Sequence, residues 1–259
     1  MNIEIMRDLA ALAILAYEDP AEAKSGSELL GMSGFTQFES DGTVVNVVSN
    51  ETQLVIAFRG TDDSDDVRYD ADFSTEPGEF GARVHSGFRM ALNKVWGDIE
   101  PVILATNKDV LFTGHSLGGA LALLAAARVL EMGRRVEGVV TFGQPRVGKG
   151  KFAREINLRM LSRIFRVINF VDPVTRIPLA IQGYRHAGRR WYYDDNGTLF
   201  EDASALRLVF DEWSFRVRNI RSAKVLGLEW HDKDRYRTIL DGEVPQDVPT
   251  NGLDTFSNP

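Results

Sequence analysis

The 259-residue chain contains no cysteine, which excludes disulfides, thiolate metal sites and thiol nucleophiles together. It has only four histidines, His85, His115, His186 and His231, so any imidazole chemistry must come from these. No apolar run reaches the length of a membrane span; the most apolar stretch, 117–130, is short and holds Gly118, Gly119 and Arg128. No Lys/Arg run stands clear of acidic neighbours and the formal charge is -7, so nucleic acid is excluded as a partner. Repeats, low-complexity tracts and Gly/Ser/Pro linkers are also missing, which predicts one domain over residues 1–259.

A hydrophobic content of 44% and a charged content of 26% suit a chain that buries a core in water. The apolar stretch at 9–17 has the length of a signal-peptide core, but Glu4 and Asp8 stand where a secretory signal carries positive charge. A packed N-terminal helix is the expectation, in a protein that is soluble or at most peripheral. Its compartment is cytoplasmic as written, or extracellular if a signal has been removed.

Two alternating, β-branched stretches, 43–48 and 54–58, flank Ser49-Asn50-Glu51 and predict a hairpin. Later apolar runs at 110–113, 136–142 and 165–171 alternate with helical patterns, which predicts a mostly parallel sheet covered by helices on both faces. Residues 117–132 form an apolar helix that stops at Gly133. The segment 62–81 is long for a plain connection and reads as a lid.

The run Val110-Leu111-Phe112-Thr113 leads into Gly114-His115-Ser116-Leu117-Gly118-Gly119 and then into that helix. A G-x-S-x-G alone is a weak signal. Between a strand and a helix it is a nucleophile elbow, in which glycines let the backbone crowd while strain presents the serine hydroxyl. The Leu117 N–H and the positive helix end then lie beside an attacked carbonyl.

A serine needs a base, and the base needs an orienting acid. His115 adjoins the serine and is expected to pack structurally. His85 precedes the serine, against the order serine, acid, histidine of such hydrolases. His186 and His231 remain, with His231 favoured because its distance downstream lets its loop return over the strand ends. Asp172 follows a strand run and precedes Pro173, which ends the strand and leaves the carboxylate at the rim. Thr61, closing Phe58-Arg59-Gly60-Thr61, stands where a second oxyanion donor is expected, although alone it reads as the start of a turn.

Together these segments resemble the class 3 lipases, the fungal-lipase-like α/β hydrolases. The resemblance rests on Phe58-Arg59-Gly60-Thr61, Val84-His85-Ser86-Gly87-Phe88, the GHSLGG elbow and Phe142-Gly143-Gln144-Pro145-Arg146-Val147-Gly148. It extends to Val171-Asp172-Pro173-Val174 with Ile177-Pro178, and to His231 with Tyr236 and Leu240. It implies an α/β-hydrolase fold and a lipase or esterase that needs no metal or cofactor. Ser116 is implied as nucleophile, Asp172 as acid, His231 as base, and Thr61 with Leu117 as the oxyanion pair. The segment holding His186 is structural in the family.

Two departures bear on substrate. A triacylglycerol lipase or esterase is the leading expectation; the stretch at 62–70, where the family's lid often carries a tryptophan, is mostly aspartate, which argues for the alternative, an esterase of soluble short-acyl or hydroxycinnamoyl esters. Residues 206–226 mix apolar side chains with arginines. They read as a surface helix packed by its apolar side, with peripheral contact to a lipid interface as the alternative. A catalytically silent lipid-binding scaffold on the same fold is the rival from outside enzymology.

Overall fold

The computed structural model describes residues 3–61, 73–218 and 228–241. Helix α1 (Ile3–Leu15) buries Met6, Leu9, Ala10, Leu12, Ala13 and Ile14, a helical spacing that turns one face inward as expected for a packed N-terminal helix. Helix α2 (Pro20–Leu29) opens with proline and is capped by Asp19, whose Oδ1 accepts the Ala21 and Glu22 N–H groups at 2.9 and 3.0 Å. Strands β1 (Gly34–Ser40), β2 (Thr43–Ser49) and β3 (Gln53–Phe58) form an antiparallel meander. The expected hairpin is its second half. Strand β1 escapes sequence reading because none of its residues is fully buried, so it lacks a clear apolar alternation.

Next come β4 (Thr75–Pro77), β5 (Arg83–His85), helix α3 (Ser86–Ala105), β6 (Asp109–His115) and helix α4 (Leu117–Glu131). They are followed by β7 (Gly138–Phe142), β8 (Gly148–Lys149), helix α5 (Gly150–Met160) and β9 (Ile164–Asn169). The last elements are β10 (Tyr184–Arg185), β11 (Arg189–Tyr193), β12 (Leu199–Glu201), helix α6 (Ala205–Arg218) and helix α7 (Lys233–Asp241).

The main sheet has eight strands in the order β1-β2-β3-β6-β7-β9-β11-β12. From β3 to β11 neighbouring strands are parallel, and both ends of the sheet are antiparallel. Its central strands are apolar on both faces because helices cover both. Helices α3, α4 and α5 pack on one face through Leu92, Val95, Leu121, Leu124, Phe152 and Ile156. On the other face α1 and α7 meet around Met6, Leu9, Ile239 and Leu240. A second, antiparallel sheet, β10-β8-β5-β4, consists of strands of two or three residues, too short for any periodicity to announce.

Of the expected lid, 62–81, residues 62–72 lie outside the described residues, while Thr75–Pro77 is strand β4 and Glu79–Gly81 a single 3-10 turn. Glu79 fastens that turn to α4. Its carboxylate is buried and accepts from Arg128 Nε at 2.9 Å, and Arg128 also lies over the Trp96 ring. Removing one member of a buried ion pair leaves the other charge uncompensated. Glu79→Ala is therefore expected to lower stability by about 3 kcal/mol, read from urea unfolding; an unchanged midpoint would show that Arg128 is adequately solvated without it.

Candidate active site

The turn from β6 into α4 forces Ser116 to φ 56° and ψ −126°, a conformation that costs a non-glycine residue about 1–3 kcal/mol. The surrounding backbone tolerates this only where side chains are absent. A Cβ on Gly114 would meet the Gly118 carbonyl carbon at 2.4 Å, and one on Gly118 would meet the Phe58 carbonyl oxygen at 2.1 Å. Both glycines of the motif are thus steric requirements, and they bring β3, β6 and α4 into backbone contact beneath the serine.

His231 and Asp172 arrive from distant parts of the chain. His231 Nε2 lies 2.8 Å from Ser116 Oγ, and His231 Nδ1 lies 2.9 Å from Asp172 Oδ2. All three residues are at most 3% exposed. Asp172 Oδ1 accepts the Val174 N–H at 2.9 Å, and Oδ2 also accepts the Tyr236 hydroxyl at 2.5 Å. Since a carboxylate only accepts, Nδ1 carries the imidazole proton and Nε2 presents a lone pair to the serine hydroxyl. Burial, followed by the nearby Asp172 charge and the hydrogen bond to it, holds the Tyr236 phenol well above its usual range, so Tyr236 stays a donor. Gly143, at φ 61°, makes room for this pairing: a Cβ there would stand 2.8 Å from His231 Cε1 and 3.0 Å from Asp172 Oδ2.

Of the two histidines left open by residue reading, the structure brings His231 to the serine. His186 instead faces the Thr175 carbonyl through Nε2 at 2.7 Å. His115 packs structurally, as expected, and does more. Its Nε2 lies 2.8 Å from the His231 carbonyl oxygen and its Nδ1 2.8 Å from the Tyr17 hydroxyl. The carbonyl only accepts, so Nε2–H donates to it and Nδ1 takes the Tyr17 proton. Asn169 holds the neighbouring peptide, Nδ2 donating to the Trp230 carbonyl at 3.1 Å. Sequence reading missed Tyr17, Gly143 and Asn169 as site residues. A buried polar Asn169 at the end of a mostly apolar strand run was the one signal on offer.

Thr61 and Leu117 line one cavity of about 240 Å³ together with Phe73, His85, Phe88, Pro145, Ile177 and Pro178. The chain before Thr61 lies against the elbow, since a Cβ on Gly60 would meet the His115 carbonyl at 2.6 Å and Ser116 Cβ at 3.2 Å. The Leu117 N–H belongs to the first turn of α4 and has no acceptor within the helix. His85 caps α3, its Nδ1 accepting the Gly87 N–H at 3.1 Å, and stacks on Phe88. Among the described residues no group of three His, Asp or Glu side chains is placed to hold a metal ion, and no helix is long and apolar enough to cross a membrane.

Helix α6 covers part of the surface helix expected over 206–226, of which residues 219–226 lie outside the described residues. It packs Leu208 and Phe215 inward against Phe170 and Trp230, but Leu206, Val209, Phe210 and Trp213 form an outward stripe that is 61–82% exposed. The helix is apolar on two sides, and among the described residues only one of them has a covering partner.

A buried imidazole, His115, and a half-buried one, His186, make stability depend on pH. Burial holds His115 well below the usual histidine value, with the Lys233 charge adding to it. Burial does the same to His186, reinforced by Arg166, Arg146 and Arg190. Both are neutral when folded. Below about pH 6.5 the unfolded chain takes up protons that the folded one refuses, so stability falls as pH falls, by about 1.4 kcal/mol per pH unit for each histidine. Urea midpoints measured from pH 7.5 to 5.5 are expected to be level above pH 7 and to drop below 6.5; a level curve throughout would mean that both rings protonate in place.

The sequence profile described as Lipase (class 3) matches residues 55–182, the stretch carrying the elbow and the Asp172 loop. A secreted mono- and diacylglycerol lipase of Fusarium solani is 36% identical over 127 residues, covering 47% of this chain and 37% of that protein. A lipase of Caenorhabditis elegans is 31% identical over 172 residues, covering 54% of this chain and 48% of that protein. The chain thus spans less than half the length of these curated relatives. Among solved structures, lipase II from Rhizopus niveus superposes with a TM-score of 0.64 at 26% identity, covering 73% of this chain and 80% of that one. The fold is that of the α/β hydrolases, and through residues 55–182 the chain is similar to the class 3 lipases.

Proposed function

We propose that this chain is a serine carboxylic-ester hydrolase acting on acylglycerol-type esters, with Ser116 as nucleophile, His231 as base and Asp172 as orienting acid. The observation that carries the reading is the unbroken hydrogen-bonded series Ser116 Oγ, His231, Asp172 on a strained elbow. In the first step His231 Nε2 takes the serine proton as Oγ attacks the ester carbonyl, and Asp172 stabilises the imidazolium. The Leu117 and Thr61 N–H groups receive the oxyanion; their sharing of one cavity wall supports that pairing. The alcohol leaves with the proton from His231, and water activated by the same base then releases the acid.

The exposed apolar stripe of α6 supports a lipid substrate over a small soluble ester. It offers a face for peripheral contact with an interface, and Arg176 on the loop after Asp172 is ion-paired to Glu212 of that helix. The acylglycerol lipases among the relatives agree with this choice.

Ser116→Ala is expected to keep the fold and lower turnover by about 10⁴-fold or more. A fluorophosphonate probe should label the native chain and neither Ser116→Ala nor His231→Ala. A native chain that stays unlabelled even in detergent would overturn the hydrolase reading and leave a lipid-binding scaffold. Rates on butyrate and long-chain esters across the solubility limit test the substrate: a rise above that limit supports a lipase, and saturation below it on short esters alone supports the soluble-ester alternative.

A further inference from the structure

The wall of the cavity continues into a surface feature that the hydrolytic steps do not use. Ile177 and Pro178 line the cavity, and the chain then runs through Leu179 into the 3-10 turn Ala180–Gln182, which ends at Gly183 with φ 82°. Turns at a surface are ordinarily polar. This one presents Leu179 at 51% and Ile181 at 92% exposure, with Ala180 exposed between them. The turn is nevertheless fixed: the Leu179 N–H donates to Gln182 Oε1 at 2.9 Å, and the Gln182 N–H to the Leu179 carbonyl at 3.0 Å.

Two cations hold this tip from the small sheet. Lys149 ends β8 and stands opposite Tyr184 of β10; its Nζ lies 4.0 Å from the Tyr184 ring centroid and donates to the Gln182 carbonyl. Arg185 donates Nη1 to the Ala180 carbonyl at 2.6 Å and to the Tyr184 carbonyl at 2.8 Å. A carbonyl accepts a hydrogen bond without cancelling the charge behind it. Among the described residues no carboxylate pairs with Lys149 or Arg185, since Glu155 on α5 and Glu212 on α6 are engaged with Arg159 and Arg176. The surrounding chain has the same sign. Residues 138–154 hold Arg146, Lys149, Lys151 and Arg154, and residues 173–193 hold Arg176, Arg185, Arg189 and Arg190. Neither stretch contains an acid, in a chain whose formal charge is -7.

Exposed apolar side chains ringed by uncompensated cations match a surface that is negative outside and apolar beneath, which is an anionic lipid layer. An acidic polypeptide would match the charge alone and leave Ile181 without a use. The stripe on α6 differs, because Arg207 and Arg216 are ion-paired to Asp211 and Glu212 of the same helix. It offers apolar contact and no choice between lipid charges.

We propose that Leu179, Ile181, Lys149 and Arg185 form a docking point for an anionic lipid surface. Ile181 and Leu179 enter the headgroup layer, Lys149 and Arg185 meet its anionic groups, and the adjoining wall at Ile177 and Pro178 brings the cavity to the interface. The docking needs no catalysis; that it presents substrate to Ser116 rests on the ester-hydrolase reading.

The test is sedimentation of Ser116→Ala with vesicles, so that binding is read whether or not the chain hydrolyses esters. Vesicles of phosphatidylcholine mixed with phosphatidylglycerol are expected to bind about tenfold or more tightly than phosphatidylcholine alone, and added salt to remove the difference. Equal binding to both vesicles would overturn the docking point. Lys149→Gln and Arg185→Gln are each expected to weaken binding to the anionic vesicles about fivefold, with Lys149→Arg restoring it. Lys108→Gln makes the same change of charge beside the start of β6, at the opposite end of that strand from Ser116. A loss with Lys108→Gln as large as with Arg185→Gln would overturn the site in favour of net charge alone. Ile181→Asp is expected to abolish anionic binding; binding that survives it and is displaced by polyglutamate would overturn the lipid in favour of an acidic polypeptide. Fluorophosphonate labelling of the native chain separates the two readings. Labelling without a preference for anionic vesicles keeps the hydrolase and overturns the docking point, and the preference without labelling does the reverse.

Discussion

The left-handed turn at Ser116 is the constraint from which the rest of the site follows. A non-glycine residue at φ 56° is held there only if its neighbours leave no alternative. Three elements enforce it: β6 delivers the chain, α4 takes it away, and the end of β3 lies so close to Gly118 that no side chain fits between them. The strain is carried by the central, parallel part of the sheet, where burial on both faces is most complete. The turn aims a hydroxyl outward and leaves the first N–H of α4 without an acceptor, so nucleophile and oxyanion donor come from one piece of geometry.

The base is held by different means. His231 ends a short helical turn, Leu228–His231, near the end of the described chain, outside the main sheet. Its ring is fixed by Asp172 and its main chain by His115 and, one residue earlier, by Asn169. His115 and Ser116 are consecutive, so the residue that receives the base's peptide adjoins the nucleophile. Tyr17, following α1, completes the chain of bonds by donating to His115. The group at greatest risk of drifting is tied back to the strand that carries its partner.

Much of this was legible in the sequence where chemistry and local structure coincide. The elbow is a contiguous motif whose glycines have a steric reason, and the Asp172–Pro173 step marks a strand end by the geometry of proline. The parallel strands showed as apolar runs because both faces are covered. What stayed hidden depends on contacts between distant segments. Gly143 reads as a turn glycine until His231 and Asp172 are seen packed against it. The small sheet is made of strands shorter than any repeat. In α6 the periodicity reports apolar residues on two sides, and nothing local says that Phe215 is covered while Phe210 is not. His186, set aside for His231 on order and placement, turns its ring to the Thr175 carbonyl behind Asp172.

The docking of residues 228–241 sets the order in which this protein loses its properties on heating. That segment is joined to the body through Trp230 against Phe170, through Tyr236, Ile239 and Leu240 on the α1 face, and by the Arg7 Nε to Leu240 carbonyl bond at 2.6 Å. None of its residues is a strand of the main sheet. A segment held by side chains and single main-chain bonds, outside any strand ladder, is expected to detach with less free energy than the sheet needs to come apart. The imidazole goes wherever that segment goes, so on heating activity is expected to be lost with the docking of 228–241 and ahead of the eight-stranded body beneath.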